Sequence, residues 1–400
     1  MTKSYDVAVI GNGMIGAAAT RYLTQTGRTV AAIGPAEPTD WRTHDGVFAS
    51  HYDQGRITRI IDPDAVWGLL GKRAIAAYPA LEEASGIQFH GTAGCLRVSP
   101  DTGATGDTLH QAEAVGRQHD AVYTVEQSDE GLNEIFPFLN FPMGSTALWE
   151  RGGAGYVNPR QLVQAQLTVA QQQGATLIRA VVSNIATDRG GAIITTATGE
   201  TIHAAEVLIS AGAYSSWLLP RPLIYQRKAV TVLLAELDEA EAARLRATPS
   251  IIYRLPNHPV LASIYSLPPL TYPDGRVYLK IGGTLHTPNL LTSADAIRQW
   301  FHGDGNDLEV AALQEVLLAL VADLHPRSLQ SRPCVVTYTS HGYPYIGQVA
   351  DHLYVATGGC GAAAKSSNEI GKIGAQLVEQ AGAWHYDLPA ELFHIRYEEE

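Results

Sequence analysis

Residues 5–33, YDVAVIGNGMIGAAATRYLTQTGRTVAAI, decide the fold of this 400-residue chain. YDVAVI is a short β-branched run typical of a buried parallel strand, AAATRYLTQTG is an amphipathic helical stretch, and TVAAI reads as a second strand. A GxGxxG loop joins the first strand to the helix, so the stretch forms the βαβ unit that a dinucleotide site requires. The alternative is a glycine turn without a ligand, and the context favours the ligand.

Each residue of the loop has a predicted part in holding the cofactor. Gly11 permits the tight turn, Gly13 lets the backbone approach a pyrophosphate, and Gly16 lets the helix pack closely on the strand. Met14 and Ile15 begin the helix and are predicted to contact the cofactor as well. The helix N-terminus then offers unpaired N–H groups and the positive end of its dipole to the phosphates.

The second strand lacks the acidic residue that usually binds a ribose hydroxyl at its end. AAIGPAEP places Gly34 at that position, and Glu37 lies three residues further on. Glu37 is therefore the candidate ribose ligand, although the sequence leaves this contact open.

Composition restricts the class of protein. With 46% hydrophobic and 17% charged residues the chain is globular, and its length suits two domains. A formal net charge of −12 argues against nucleic acid or an anionic membrane as the main partner. Three cysteines do not make a disulfide framework, and no metal site is predicted. The sequence shows no signal peptide and no apolar run that would span a bilayer, so we expect a cytoplasmic protein.

Further α/β segments follow along the chain. NPRQLVQAQLTVAQQQG predicts a helix with Asn158 as N-cap and Pro159 at its first position, and strand-like ATLIRAVV, AIITTAT and EVLISAG come next. Residues 221–290 are aromatic and β-rich, broken by Pro and Gly, which indicates a mixed or antiparallel sheet. Residues 307–324 predict an amphipathic helix, and the tail predicts a strand, HLYVATGG, and a helix, KSSNEIGKIGAQLVEQAG.

The predicted fold is therefore α/β, with a Rossmann-like cofactor domain and an inserted mixed or antiparallel sheet domain that binds the substrate. We assign residues 1–84, 151–220 and 330–400 to the discontinuous cofactor domain. Residues 85–150 and 221–329 are assigned to the substrate domain.

Three separated motifs carry a family resemblance. GNGMIG, VLISAGAYSS and LYVATGGCGAAAKSS, in this order, resemble the FAD-dependent amine oxidases of the D-amino-acid-oxidase superfamily, and most of all its monomeric sarcosine oxidase and N-methyltryptophan oxidase group. The resemblance runs over nearly the whole chain. It implies a monomeric FAD enzyme that oxidises a secondary amine or amino acid, of N-methyl or cyclic imino acid type, to an imine and reduces oxygen to hydrogen peroxide. The alternative is a dehydrogenase of the same fold that passes electrons to a quinone or carrier protein.

The resemblance also implies where FAD is held. In that group a cysteine before a strand carries the flavin covalently, and Cys334 in CVVTYT matches it; a thiolate can add to the 8-methyl carbon of the flavin. The alternative is a buried free thiol. Arg56 matches an arginine that supports the flavin ring. Further predicted cofactor contacts are Ser50, Val182, Ala211, Gly212, Gly358, Gly359 and Gly361.

Four residues match the family's active site. Lys280 in YLKIGG matches a lysine that promotes reaction with oxygen, since a nearby cation stabilises the developing superoxide. Arg59 in RITRI and Lys365 in GAAAKSS match the residues that hold the substrate carboxylate. Tyr265 in IYSLPPL matches a pocket tyrosine. The alternatives are a solvated strand lysine, an exposed helix face for the two arginines, a contact of Lys365 with the cofactor phosphates, and an ordinary core aromatic.

The sequence departs from the family pattern at several positions. The aromatic residue two places after the cysteine is Val336, and the histidine four places after the oxygen lysine is Thr284. The residues that follow CVVTYT are Ser340-His341-Gly342 where the family continues through Pro-Asp. These changes indicate a substrate other than sarcosine, whose identity the sequence leaves open.

Overall fold

The structure is a computed structural model that describes residues 4–398. Within this range the strands are β1 (Ser4–Ile10), β2 (Val30–Ile33), β3 (Arg56–Thr58), β4 (His90–Gly91), β5 (Cys95–Ser99), β6 (Tyr123–Glu126), β7 (Thr146–Glu150), β8 (Gly155–Val157), β9 (Thr176–Ile178), β10 (Val182–Asp188), β11 (Gly191–Thr196), β12 (Thr201–Ile209), β13 (Tyr225–Leu237), β14 (Ser250–Arg254), β15 (Leu261–Thr271), β16 (Val277–Leu285), β17 (Asn289–Leu290), β18 (Ser328–Thr339), β19 (Tyr345–Ala350) and β20 (Leu353–Thr357).

The α-helices within the same range are α1 (Met14–Thr24), α2 (Ala65–Ser85), α3 (Leu109–Gln118), α4 (Asp129–Ile135), α5 (Pro159–Gln172), α6 (Glu239–Arg244), α7 (Ala294–His302), α8 (Asp307–Leu320) and α9 (Ala363–Glu379). Short 3-10 helices span Gly212–Leu218 and Ala390–Phe393. Between residues 4 and 398, no helix has the length and apolar character needed to cross a membrane.

The first sheet forms the cofactor-binding layer. Its strand order is β10-β11-β12-β1-β2-β9, and β20 joins it beside β12. The central strands β12, β1, β2 and β20 run parallel, so their carboxyl ends lie at one edge of the sheet. Helix α1 packs between α5 and α9 and buries Ala19 and Leu23 against the apolar side chains of the strands. This arrangement confirms the predicted Rossmann-like fold, and a ligand is expected at the carboxyl edge.

The second sheet is the predicted mixed sheet. It has nine strands in the order β17-β13-β16-β15-β14-β5-β7-β6, with β18 paired to β13. Most neighbours are antiparallel, whereas β14 and β5 are parallel. Helix α8 packs Leu313 and Leu317 into the core of this sheet. The boundary predicted at residue 330 falls inside β18, which extends the second sheet, and the full division into domains stays a prediction.

Local signals placed several helices correctly. The Asn158 side chain accepts a hydrogen bond from the backbone N–H of Gln161, and Pro159 occupies the first position of α5. Helix α8 ends four residues before the predicted limit at residue 324, and α1 ends at Thr24 rather than near Gly27. Such differences at helix ends are common, because the last turn depends on tertiary contacts.

Candidate active site

The glycine loop brings three backbone segments into direct contact. Gly11 has a φ of 105°, and a Cβ atom on it would lie 2.5 Å from the carbonyl oxygen of Ser210 at the end of β12. A Cβ atom on Gly16 would lie 1.9 Å from the carbonyl oxygen of Gly11. Side chains at either position are therefore excluded, and the first turn of α1 lies directly against the β1 and β12 ends.

A cleft of about 440 Å³ lies over this loop, at the carboxyl edge of the first sheet. Thirteen of the predicted cofactor residues line it: Gly11, Gly13, Met14, Ile15, Ser50, Arg56, Val182, Ala211, Gly212, Cys334, Gly358, Gly359 and Gly361. The N-termini of α1 and α9 both border the cleft, and neither has a side-chain cap or an acidic residue in its first turn. Two uncapped helix ends suit anionic groups of a ligand.

Two buried polar atoms in the cleft wall have no partner. They are Oδ1 of Asn12 and Oγ of Ser210. Buried polar groups normally have a hydrogen-bond partner, so unpaired ones aimed at a cleft fit a ligand with its own polar groups. The cleft residues therefore fit a dinucleotide cofactor.

Lys280 is buried in β16 with 1% of its surface exposed, so the alternative of a solvated strand lysine is wrong. Its Nζ donates to Oδ2 of Asp53 at 2.5 Å and to the carbonyl oxygen of Gly55 at 2.9 Å. Asp53 also accepts from the hydroxyl of Tyr272 at 3.0 Å and forms an ion pair with Arg56. Burial, and then the Arg56 guanidinium, push the pKa of Lys280 well below its ordinary value. The Asp53 carboxylate, 2.5 Å away, is a negative charge that favours the ammonium form.

Lys365 and Arg59 converge on one internal carboxylate. Lys365, also 1% exposed, donates from Nζ to Oδ2 of Asp62 at 2.7 Å, and Nη2 of Arg59 donates to the same oxygen at 2.8 Å. Although burial acts in the opposite direction, these two cations hold the pKa of the Asp62 carboxyl well below its usual range. Burial lowers the pKa of Lys365 to about 8, against the opposing effect of Asp62.

One nitrogen of the Arg59 guanidinium group has no hydrogen-bond partner, although Arg59 lines neither of the two cavities. Its Nε is buried and has no hydrogen-bond partner, although Nη2 is bound to Asp62. The two arginines do not form an exposed helix face, since Arg56 begins strand β3 and Arg59 follows that strand directly. One short segment thus supplies two ion pairs of the same spacing, Asp53 with Arg56 and Arg59 with Asp62.

Cys334 lies in β18 opposite Val230 and is 9% exposed. Its Sγ lies 3.5 Å from Nη2 of Arg56, and the residue lines both the cleft and a second cavity of about 430 Å³. The thiol is thus positioned at the junction of the two spaces.

Tyr265 lies outside the cleft lining and packs beside Lys280. Its ring covers Gly282 on the neighbouring strand, and Nζ of Lys280 lies 5.4 Å from the ring centroid. Of the positions that depart from the family pattern, Val336 lines the cleft, whereas Thr284 is exposed to solvent.

The sequence matches a family model described as FAD dependent oxidoreductase, DAO, over residues 6–377. The chain belongs to the DAO family. This membership confirms the predicted resemblance, the FAD cofactor and the class of enzyme.

Individual DAO-family relatives are similar over different lengths. Monomeric sarcosine oxidase of Streptomyces avermitilis is 27% identical over 90% of this chain and 89% of its own length. N-methyl-L-tryptophan oxidase of Yersinia pestis is 27% identical over 54% of this chain and 56% of its own length. The solved structure of NikD, an unusual amino acid oxidase essential for nikkomycin biosynthesis, has a TM-score of 0.78 at 19% identity and covers 99% of this chain and 98% of its own. The NikD likeness shows the shared fold.

Three predicted cofactor residues of this DAO-family chain do not line the FAD cleft: Gly16, Glu37 and Lys365. Gly16 packs against Gly11, and Lys365 binds Asp62. Both carboxylate oxygens of Glu37 accept from Arg160, at 2.7 and 2.8 Å, and the residue lines the second cavity. The structure therefore separates Glu37 from the glycine loop, and its ribose contact stays a prediction.

Sequence reasoning missed several residues of the site. Asp53 and Asp62 each lie three residues from an arginine that had been singled out, and this spacing was the available signal. His51 lines the FAD cleft, where burial and then the neighbouring arginine cations lower its pKa to about 3, so the imidazole is neutral. Asn12 and Ser210 gave no local signal, because their unpaired atoms become evident only once the cleft is formed.

Proposed function

We propose that this DAO-family enzyme oxidises the C–N bond of a secondary amine or amino acid, of N-methyl or cyclic imino acid type, to an imine and reduces oxygen to hydrogen peroxide. One observation carries the proposal: a single segment, residues 53–62, binds two buried lysines from distant parts of the chain, and its Arg56 lines the FAD cleft. One lysine serves the substrate and the other serves the reaction with oxygen.

The substrate half of the proposal rests on Arg59 and Lys365. A guanidinium has five N–H donors in a rigid plane, and Asp62 engages Nη2 of Arg59 while the buried Nε has no partner. A substrate carboxylate would accept hydrogen bonds from the unpaired N–H donors of Arg59. The Lys365 ammonium would be the second cation beside that carboxylate. Tyr265 shapes the pocket beside Lys280.

FAD would supply the redox chemistry here, as acceptor of a hydride from the amine carbon and donor of two electrons to oxygen. The chain supplies position and charge. The uncapped N-termini of α1 and α9 border the cleft, where they would hold the anionic groups of the cofactor. Lys280 places a cation where negative charge develops on oxygen, and the surrounding sheet keeps bulk water away from this charge. The imine product then hydrolyses in water.

Lys280→Met tests the oxygen step. We expect reoxidation of the reduced enzyme by oxygen to slow by about 100-fold, the range seen when one stabilising donor is removed from a charged transition state, while anaerobic reduction by the amine keeps its rate. Arg59→Met is the matched control and should weaken substrate binding without changing reoxidation. Equal losses in both half-reactions of Lys280→Met would contradict its role. A wild-type enzyme that ignores oxygen and reacts with a quinone would identify the dehydrogenase alternative.

We also propose that FAD is attached covalently to Cys334, whose Sγ lies at the cleft beside Arg56. After acid precipitation, yellow colour should remain in the pellet of the wild type and move to the supernatant in Cys334→Ala. Cys95→Ala is the control, because Cys95 is a buried thiol outside the cleft. Colour in the wild-type supernatant would mean that Cys334 is only a packed thiol. The monomeric state and the cytoplasmic location stay predictions.

A further inference from the structure

Asp53 is the carboxylate that meets Lys280 inside the protein. Its side chain is 11% exposed, and its Oδ2 lies 2.5 Å from Nζ of Lys280. The other charged and titratable groups around Lys280 and Asp53 come from five places in the chain: β3, α5, β15, the residue after β15, and β18. They are Arg56, Arg160, Tyr265, Tyr272 and Cys334. Two of these groups are cations, so they oppose a positive charge on Lys280, and Asp53 is the negative group that offsets them.

The same carboxylate borders a space that reaches solvent. Asp53 and Tyr272 line the second cavity of about 430 Å³, and the exposed side chains of Asp40, Arg42 and Arg332 line it as well. Asp53 thus has Lys280 on one side and this cavity on the other.

We propose that Asp53 is a positioning residue that keeps Lys280 in its ammonium form. The consequence for oxygen rests on the proposed oxidase function, whereas the charge state of Lys280 does not. A buried ammonium is stable only with a compensating charge, and an uncharged lysine would not stabilise negative charge on oxygen.

Asp53→Asn removes the charge and keeps the size of the side chain. With Arg56 and Arg160 still present, Lys280 should release its proton at a lower pH than in the wild type. Above the new pKa, each unit of downward shift leaves about tenfold less ammonium. Reoxidation by oxygen should therefore fall by about tenfold or more at pH 8, and its decline with rising pH should begin earlier. Anaerobic reduction by the amine should change little.

The charge on Lys280 can be measured directly. The FAD-loaded enzyme is labelled with ¹³C at the lysine ε-carbons, and the Lys280 signal is assigned by its absence from Lys280→Met. We expect an ammonium signal in the wild type at neutral pH and a titration at lower pH in Asp53→Asn. Asp53→Glu should restore the ammonium. Tyr272→Phe is the matched control, because it removes only an uncharged hydrogen bond to the same carboxylate.

Three results would separate the possibilities. A neutral Lys280 in the wild type at pH 7 overturns the proposal without any variant, so a failure of Asp53→Asn to fold does not protect it. The same titration midpoint in the wild type and in Asp53→Asn also overturns it. A charged Lys280 that titrates at lower pH in Asp53→Asn, in an enzyme that does not react with oxygen, supports the role of Asp53 and contradicts the proposed oxidase function instead.

Discussion

Asp62→Asn is expected to destabilise the protein more than any single loss of one of its cation partners. Asp62 is 9% and Lys365 1% exposed at the side chain, and both Lys365 and Arg59 donate to one oxygen, Oδ2. Removing one member of a buried ion pair costs about 3–5 kcal/mol, because the remaining charge loses its compensation. Here two adjacent cations lose it together, so we expect the upper part of this range.

Lys365→Met should cost less, since Asp62 keeps its contact with Arg59 at 2.8 Å. The double variant combines Asp62→Asn with Lys365→Met. It leaves Arg59 without the neighbouring Lys365 cation that would repel it, so its loss of stability should be smaller than the sum of the two single losses. Contacting residues show coupling energies of about 0.5–3 kcal/mol, and the shared oxygen predicts about 2 kcal/mol or more.

Urea unfolding at pH 7 measures these free energies of unfolding, with saturating FAD held constant because a bound ligand stabilises the folded state. Asp387→Asn is a control of the same chemistry at a pair where the carboxylate is 63% exposed, and it should cost no more than about 1 kcal/mol. If the loss of stability in the double variant equals the sum of the losses in Asp62→Asn and Lys365→Met within about 0.5 kcal/mol, the idea that Asp62 couples Lys365 and Arg59 energetically is refuted.

Three further outcomes are expected. Gly16→Ala should yield protein whose visible spectrum shows no bound flavin, because the new Cβ atom would lie 1.9 Å from the Gly11 carbonyl oxygen. Gly131→Ala is the control and should stay yellow, because its Cβ atom would meet nothing closer than 3.4 Å. Equal flavin content in the two variants would contradict this prediction. Acetate binding can be measured through the change it causes in the flavin spectrum. The affinity for acetate should weaken as the pH rises through about 8, because Lys365 then loses its positive charge. An unchanged Kd from pH 7 to 9.5 would count against Lys365 as a carboxylate ligand. Asn158→Ala should lower the free energy of unfolding by about 1 kcal/mol, since the Gln161 N–H loses its cap, and a neutral result in urea unfolding would show that water replaces the cap.

The stability of the fold should also vary with pH in a defined way. Because the folded pKa of Asp62 is below its ordinary value of about 3.9, its contribution is complete above that value and is lost as the pH falls further. The folded pKa of Lys365 is about 8, below its ordinary value of about 10.4, so stability should rise between these two pH values. Urea unfolding at a series of pH values measures both effects. Lys365→Met should lack the rise in stability above pH 8. A wild-type curve that runs parallel to that of Lys365→Met from pH 8 to 10 would contradict the lowered pKa of Lys365.

Local chemistry was sufficient to predict the cofactor-binding part of this protein. The strand, glycine loop and helix of residues 5–33 are neighbours in sequence, and their periodicity and φ requirements do not depend on distant residues. Local patterns also predicted the helix cap at Asn158 and the antiparallel strands within residues 221–290. For these features the sequence predicted both the structure and its use.

Which groups meet in the interior was decided only by the tertiary structure. Lys280 is 227 residues from Asp53, and Lys365 is 303 residues from Asp62, so no local pattern relates the partners. The family resemblance identified the lysines but not the aspartates that neutralise them. Glu37 shows the reverse case: an acidic residue suitably placed in sequence is bound by Arg160, 123 residues away, and lies outside the FAD cleft. Charges interact over a few ångströms in space, and only the folded chain determines which of them come that close.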